Sequence, residues 1–223
     1  MLKKIVIYGC GAFAKLMHYY FSTANQYEVV AFTVDSIFLQ DTFIYGLPVI
    51  PFEDITDDYP PSDFSMFVAI GYQRMRNRKI LFEKAKNKQY LLVNYISSKA
   101  IAYHNLVLGE NNVIMGNVNI EPFVKIGDHN IVWSDTLLGH DLVLGNYNYV
   151  AAKCLLAGNS IIGDLCFFGN GVTTIDHLMI ANETYLVAGS VLFKDTKPYM
   201  RYFGNPAKPF RKSHEDYGII ITR

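Results

Sequence analysis

Cysteine is scarce and unpaired in this chain. Cys10, Cys154 and Cys166 form no C-x-x-C pair, which argues against a disulfide framework and a cysteine-built zinc site; all three read as small buried residues. Charge of one sign is lacking too, because 20 Lys and Arg balance 20 Asp and Glu. Without a net positive field the chain is not built to hold nucleic acid or an anionic membrane, and any phosphate contact must be local. No apolar run approaches the roughly 20 residues of a membrane-spanning helix. The opening MLKKIVIYGCG runs into a glycine-rich turn rather than a cleavage site, so a cytoplasmic protein is expected. Apolar material is plentiful, 51% of 223 residues, enough for one large core or two small ones.

The second half is periodic. Stepping by six from Leu108, the positions read Leu108, Ile114, Ile120, Ile126, Val132, Leu138, Leu144, Val150, Leu156, Ile162, Phe168, Thr174, Ile180, Leu186 and Leu192, and fourteen of these fifteen are apolar. A six-residue period suits a triangular coil in which every side is a short strand sending one aliphatic side chain inward. Three sides make an eighteen-residue coil, and that longer period is visible in Gly109, Gly127, Gly145 and Gly163, each followed by Glu110, Asp128, Asn146 or Asp164. Glycine tolerates positive φ at tight corners, and Asp or Asn bonds back to the turn backbone. Short residues, among them Asn112, Thr136, Asn148, Cys154, Ser160, Cys166, Thr184 and Ser190, stand two before the inward aliphatics, where a prism corner is narrow. A β-sandwich alternates with period two and does not sustain this register. The pattern predicts a parallel β-helix with no long loop projecting from its coils.

The first half reads as α/β. The run KIVIY at 4–8 ends in Gly9-Cys10-Gly11, after which Phe13, Leu16, Met17 and Tyr20 have helical spacing. Apolar runs at 29–34 and 64–70 end at Asp35, which Ser36 follows, and at Gly71. The carboxyl ends of parallel strands converge on a ligand crevice. Backbone N–H groups at the helix start would hold a diphosphate, Asp35 would bond a ribose or base, and Arg76 would add charge. A full dinucleotide redox fold has no room in about 90 residues. The boundary is placed after Leu91-Leu92-Val93, giving domains 1–98 and 99–223.

With this α/β start, the hexapeptide register, GHD at 139–141 and GNPAK at 204–208, the chain resembles the sialic-acid O-acetyltransferase (NeuD-type) family of left-handed β-helix acyltransferases, in particular the N-acetyltransferases of UDP-linked amino sugars. The resemblance implies a Rossmann-like sugar-nucleotide domain before a left-handed β-helix, with acetyl-CoA as co-substrate and no metal. It implies a homotrimer with sites between neighbouring β-helices, a UDP-linked amino sugar as acceptor, and a role in bacterial surface-glycan biosynthesis. His140 matches the family's general base and Asp141 the acid that orients it, a fitting pair because imidazole titrates near neutral pH. The implied sugar-nucleotide contacts are Gly9, Cys10, Gly11, Asp35, Ser36, Gly71 and Arg76. The implied CoA contacts are Tyr149, Gly158, Ala188, Lys194, Pro206 and Lys208, with the Gly158 N–H steadying the thioester oxyanion. Tyr149 stands where relatives carry a second histidine, and Ala12-Phe13 replaces a Gly-His pair of the family's first loop.

Three rival readings are weighed. A zinc lyase would use His104 and His140 with a further ligand five residues on, where this chain has Gly145. A non-catalytic trimeric binding protein would need no His-Asp pair. An O-acetyltransferase would keep the same machinery and change the acceptor to a hydroxyl. His177 beside Asp176 lies two coils from His140 in the repeat register and reads as structural.

Overall fold

The computed structural model describes residues 2–213 and 216–221. By contacts the chain divides into two compact units, one running to Gly71 and resuming over Ile80–Asn94, the other made of Tyr72–Lys79 and the residues from Tyr95 onward.

In the first unit, strand β1 (Lys3–Tyr8) leads into helix α1 (Ala12–Ala24), strand β2 (Tyr27–Val34), a 3₁₀ turn (Ser36–Phe38), strands β3 (Phe43–Ile44) and β4 (Leu47–Pro51), the short helix α2 (Ile55–Asp58) and strand β5 (Ser65–Val68). The sheet order is β3-β4-β2-β1-β5, parallel except for the β3–β4 hairpin. Ile5, Val6, Ile7 and Tyr8 are all buried, because a central parallel strand is covered on both faces and shows no alternation. The hairpin and helix α3 (Met75–Asn87) have no counterpart in the sequence reading. The hairpin turns on Tyr45 and Gly46, both at positive φ, without the Asn-Gly or Asp-Gly signature such turns favour. Helix α3 buries Met75, Arg78, Phe82 and Ala85, and an arginine on the buried face breaks its apolar stripe.

The second unit is a parallel β-helix. Two-residue strands stack in three faces: the first contains Val113–Ile114, Ile131–Val132, Tyr149–Val150, Phe167–Phe168 and Tyr185–Leu186; the second Asn119–Ile120, Leu137–Leu138, Leu155–Leu156, Thr173–Thr174 and Val191–Leu192; the third Lys125–Ile126, Val143–Leu144, Ile161–Ile162 and Met179–Ile180. Each strand pairs in parallel with the one eighteen residues on, as Leu137 does with Leu155. The inward residues from Ile114 to Leu192 are buried, and the one polar member, Thr174, satisfies its hydroxyl by accepting the Ala157 N–H at 3.0 Å. Antiparallel strands Met200–Phe203 and Lys208–Lys212 close the first face.

The corners correct two expectations. Gly109, Gly127, Gly145 and Gly163 do not adopt positive φ; the left-handed residues lie two positions later, at Asn111, His129, Tyr147 and Leu165. The glycines are required by close approach instead. A Cβ on Gly145 would stand 2.5 Å from Asp164 Oδ1 and 2.8 Å from Gly163 O, so a side chain would push the coils apart. The acids and amides bridge coils rather than their own turn: Asp164 Oδ1 accepts from Asn146 N at 2.7 Å, and Asn146 Oδ1 from Asp128 N at 2.8 Å. A second ladder runs inside the same corner from Asn112 through Asn130 and Asn148 to the Cys166 N–H. Among the cysteines, Cys154 and Cys166 are buried and burial pushes their thiols up to about 11 and about 12, but Cys10 is exposed, since no layer covers the turn at the end of β1.

The outward side chains Val113, Ile131, Tyr149 and Phe167 of the first face are buried as well. Tyr72 lies 4.7 Å from Tyr149 and 5.7 Å from Phe167 between ring centroids. The fully buried Arg78 guanidinium donates to the Tyr147 and His129 carbonyls, which lets a charge sit inside because polar atoms meet it. The C-terminal segment fastens this stretch: Ile219 O accepts from Met75 N, and Gln73 O from Ile221 N.

The His129 ring is buried beside Tyr147, and burial first, Arg78 second, hold its pKa well below the usual imidazole value. The folded chain therefore keeps His129 neutral while the unfolded chain protonates it below about pH 6.5. Stability from this source is level above that pH and falls beneath it by about 1.4 kcal/mol per unit. Chemical denaturation from about pH 7.5 to about pH 5 should show a shallower acid decline for His129→Gln than for the parent chain; equal slopes would count against a neutral buried imidazole.

Candidate functional site

His140 and Asp141 occupy a corner between the second and third faces. Asp141 is the left-handed residue of its turn, φ 58°, a conformation that Asp tolerates better than most side chains, and its N–H is fixed to Pro122 O at 3.0 Å. That backbone turns the carboxylate toward its neighbour, so Asp141 Oδ2 lies 2.9 Å from His140 Nδ1. With the proton on Nδ1 held by the carboxylate, Nε2 presents its lone pair. One coil behind, Glu121 Oε2 accepts the His140 N–H at 2.8 Å. One coil ahead stands Gly158, where a Cβ would lie 2.6 Å from His140 O and 3.1 Å from Nε2. Among the described residues the Gly158 N–H has no acceptor. The corner thus sets a half-exposed imidazole beside an open backbone donor.

The first unit holds a second group of candidates. Gly9 is at φ +130°, and a Cβ there would meet Ala69 O at 2.7 Å, so only glycine fits. Gly11 precedes α1, supplies no side-chain cap, and leaves open space where a Cβ would be; α1 has no acid in its first turn. Its first amides therefore remain available to an anionic acceptor. Asp35 follows β2 and is already engaged: Lys84 Nζ donates to Oδ2 at 2.6 Å, and the Tyr8 hydroxyl donates to Oδ1. Burial, then that bond to Asp35, raises the Tyr8 pKa far above its ordinary value, so Tyr8 stays a donor. The Ser36 N–H is bound by Glu53 Oε2 at 3.0 Å. In exposed Cys10, burial of part of the side chain, then Asp41, raises the thiol pKa, which does not suit a thiolate nucleophile.

Not every candidate joins these groups. Arg76 falls in the second unit, where both oxygens of Glu183 take its guanidinium, the closest contact being 2.9 Å. Gly71 ends the first unit's first segment, and a Cβ there would meet nothing. Tyr149 is 8% exposed on the first face, stacked on Phe167 at 5.2 Å, and burial, then Tyr72, pushes its hydroxyl up to about 12. Position 149 lies within a strand and 140 at a corner, so the structure does not bring them together. Ala188 is exposed at the corner between the first and second faces; exposed Lys194, Pro206 and Lys208 follow the last coil. His177 is exposed and 3.7 Å from Asp176 Oδ2.

Sequence reasoning missed Tyr8, Lys84 and Glu121. Tyr8 ends β1 and could have been found from the strand-end rule that picked out Asp35. Lys84 sits among Lys79, Lys86 and Lys88 and looks like any solvated helix lysine. Glu121 becomes visible only once the eighteen-residue coil is used to ask what lies behind His140.

Residues 4–84 match the PglD N-terminal domain, and residues 105–140 match the bacterial transferase hexapeptide (six repeats). No curated protein matches the chain by sequence. Among solved structures the chain is similar to the acetyltransferase domain of PglB from Neisseria gonorrhoeae, at 25% identity and a TM-score of 0.83 over 93% of this chain and 100% of that one. It is similar also to PerB from Caulobacter crescentus, solved in complex with CoA and GDP-perosamine, at 28% identity and a TM-score of 0.82 over 95% and 99% of the two chains. WeeI from Acinetobacter baumannii shares the fold, with 22% identity and a TM-score of 0.79 over 92% and 99%. Among the described residues no group of His, Cys, Asp and Glu is placed to hold a metal ion.

The packing at Gly158 gives a direct test of the corner. Gly158→Ala should lower turnover about 10- to 100-fold, because the methyl group displaces both the imidazole and the open N–H. Gly116→Ala, whose Cβ would meet only ordinary contacts at 3.6 Å or more, should leave turnover unchanged. Equal rates for the two variants in steady-state assays would remove Gly158 from the site.

Proposed function

We propose that the protein transfers an acetyl group from acetyl-CoA to the amino group of a nucleotide-linked amino sugar, with His140 as general base. The observation that carries this reading is the His140–Asp141 pair, 2.9 Å apart, with Gly158, whose N–H has no acceptor among the described residues, one coil ahead. The likeness to PerB, solved with both CoA and GDP-perosamine, supports the two substrate classes.

The chemistry follows from the corner. An amine attacks the thioester carbonyl carbon, and Nε2 takes the amine proton as the C–N bond forms. The carbonyl oxygen gathers negative charge opposite the Gly158 N–H, a donor that needs no reorganisation. As the tetrahedral intermediate collapses, the C–S bond breaks and the imidazolium returns its proton to the leaving sulfur, giving amide and CoA. Asp141 stays ionised, keeping the tautomer and stabilising the imidazolium. No cysteine is needed. Exposed Lys194 and Lys208 suit the CoA phosphates, and the first unit suits the sugar nucleotide.

The reading includes a homotrimer. Ala188 lies at one end of the second face and His140 with Gly158 at the other, so a CoA that touches both draws on two copies. The outward residues Ile101, Leu155, Val107, Ile161 and Met179 of the second and third faces are exposed, a surface that a neighbouring β-helix would cover.

Mass spectrometry of products from acetyl-CoA and a panel of UDP-, dTDP- and GDP-linked amino sugars should find one N-acetylated nucleotide sugar. His140→Ala should cut its kcat about 10²- to 10⁴-fold while CoA binding and the trimer persist. A variant keeping more than about a third of kcat would place the base elsewhere, and light scattering at the 25.3 kDa monomer mass would remove the shared site.

A further inference from the structure

The edge of the solenoid that carries His140 continues beyond it as a regular column. His140, Gly158, Asp176 and Lys194 follow one another at eighteen-residue steps. The corners stack coil on coil, Asn159 N donating to His140 O at 2.9 Å and His177 N to Gly158 O at 3.1 Å. We propose that the Asp176 carboxylate binds acetyl-CoA by accepting the amide N–H of the pantetheine arm nearest the thioester. The inference rests on the reading of the His140 corner as an acetyl-CoA site.

This carboxylate is not spent on the fold. Elsewhere in the solenoid acids bind the neighbouring coil: Asp128 Oδ1 accepts the Glu110 N–H at 2.7 Å, and Asp164 Oδ1 the Asn146 N–H at 2.7 Å. Asp176 makes no such bond. Among the described residues no donor lies within hydrogen-bond distance of its oxygens, and His177 Nε2 stands off at 3.7 Å from Oδ2. The side chain is 64% exposed, so a ligand can reach it. Nor does the corner demand an acid, since the same position holds Pro122, His140 and Gly158 in the three coils before it.

The spacing fits the arm. Successive coils are one strand separation apart, about 4.8 Å. Lys194 lies two residues past Leu192, which pairs with Thr174. With the thioester oxygen at the Gly158 N–H and the CoA phosphates toward Lys194, the arm crosses the coil of Asp176. Four bonds join the thioester carbonyl carbon to the first amide nitrogen, roughly 5 Å when extended, so that N–H arrives one coil beyond Gly158. An amide drawn out of water needs an acceptor, and a carboxylate is a stronger one than a neutral carbonyl. Charge alone acts in the opposite sense, because an acid repels the anionic CoA. The two effects therefore differ in sign.

Titration calorimetry of the full chain tests this with CoA and with adenosine 3′,5′-bisphosphate, which lacks the arm. Asp176→Ala should weaken CoA about tenfold and leave the bisphosphate within about twofold, its phosphates being distant and screened. Asp176→Asn, which keeps a carbonyl acceptor, should recover part of the loss. Equal or tighter CoA binding by Asp176→Ala overturns the proposal, as does an equal loss for the bisphosphate. A CoA analogue with an ester in place of that amide should bind the native protein about tenfold more weakly than CoA. An ester that binds as well as CoA overturns the proposal even should Asp176→Ala unfold. Failure of the native protein to bind CoA defeats the acetyl-CoA reading and this assignment with it, whereas CoA binding indifferent to Asp176 defeats this assignment alone.

Discussion

Every corner of the solenoid from Asn111 to Gly189 turns on a residue in the left-handed region, and twelve of these fourteen are not glycine. Such a residue costs about 1–2 kcal/mol relative to ordinary backbone, so the fold depends on what holds the corners. Hydrogen bonds between coils do: the left-handed residue sends its N–H to a carbonyl eighteen or nineteen residues back, as His129 does to Glu110 O and Asp141 to Pro122 O, while one corner adds two side-chain ladders. Each neutral bond contributes about 1 kcal/mol, comparable with the conformational cost, and adjacent coils reinforce one another.

The catalytic proposal draws on this constraint. Asp141 is one of the left-handed corner residues, and its carboxylate meets the imidazole because the backbone is fixed, with no further residue recruited to aim it. Gly139 and Gly158 keep the neighbouring coils close: a Cβ on Gly139 would meet Gly158 N at 2.5 Å. Close coils bring the open amide beside the base. The geometry asked of an acyl-transfer site thus arises from the repeat itself, with ordinary corner residues replaced at only a few positions.

The solenoid was legible because its signal is one of period. Inward aliphatics every six residues cannot be mistaken for alternation, and Thr174, the one exception, proved to be a satisfied interior hydroxyl. The role of Gly145 was misjudged because sequence shows a glycine but not whether φ or space demands it. His140 and Asp141 could be named because adjacency in sequence is adjacency in space at a fixed corner. Lys84 and Asp35, 49 residues apart, meet only after β2 and α3 have packed. Tyr149 was named from the resemblance alone, and the structure sets it within a strand of the first face, away from the corner of its own chain that carries His140.

The central claim is that Asp141 acts through His140. A double-mutant cycle measures it most directly, using kcat/KM for the parent chain, Asp141→Asn, His140→Ala and the double variant under one set of conditions. The account predicts that Asp141→Asn lowers kcat/KM by about tenfold or more in the parent and by almost nothing once the imidazole is gone. An equal loss from Asp141→Asn in both backgrounds would contradict it.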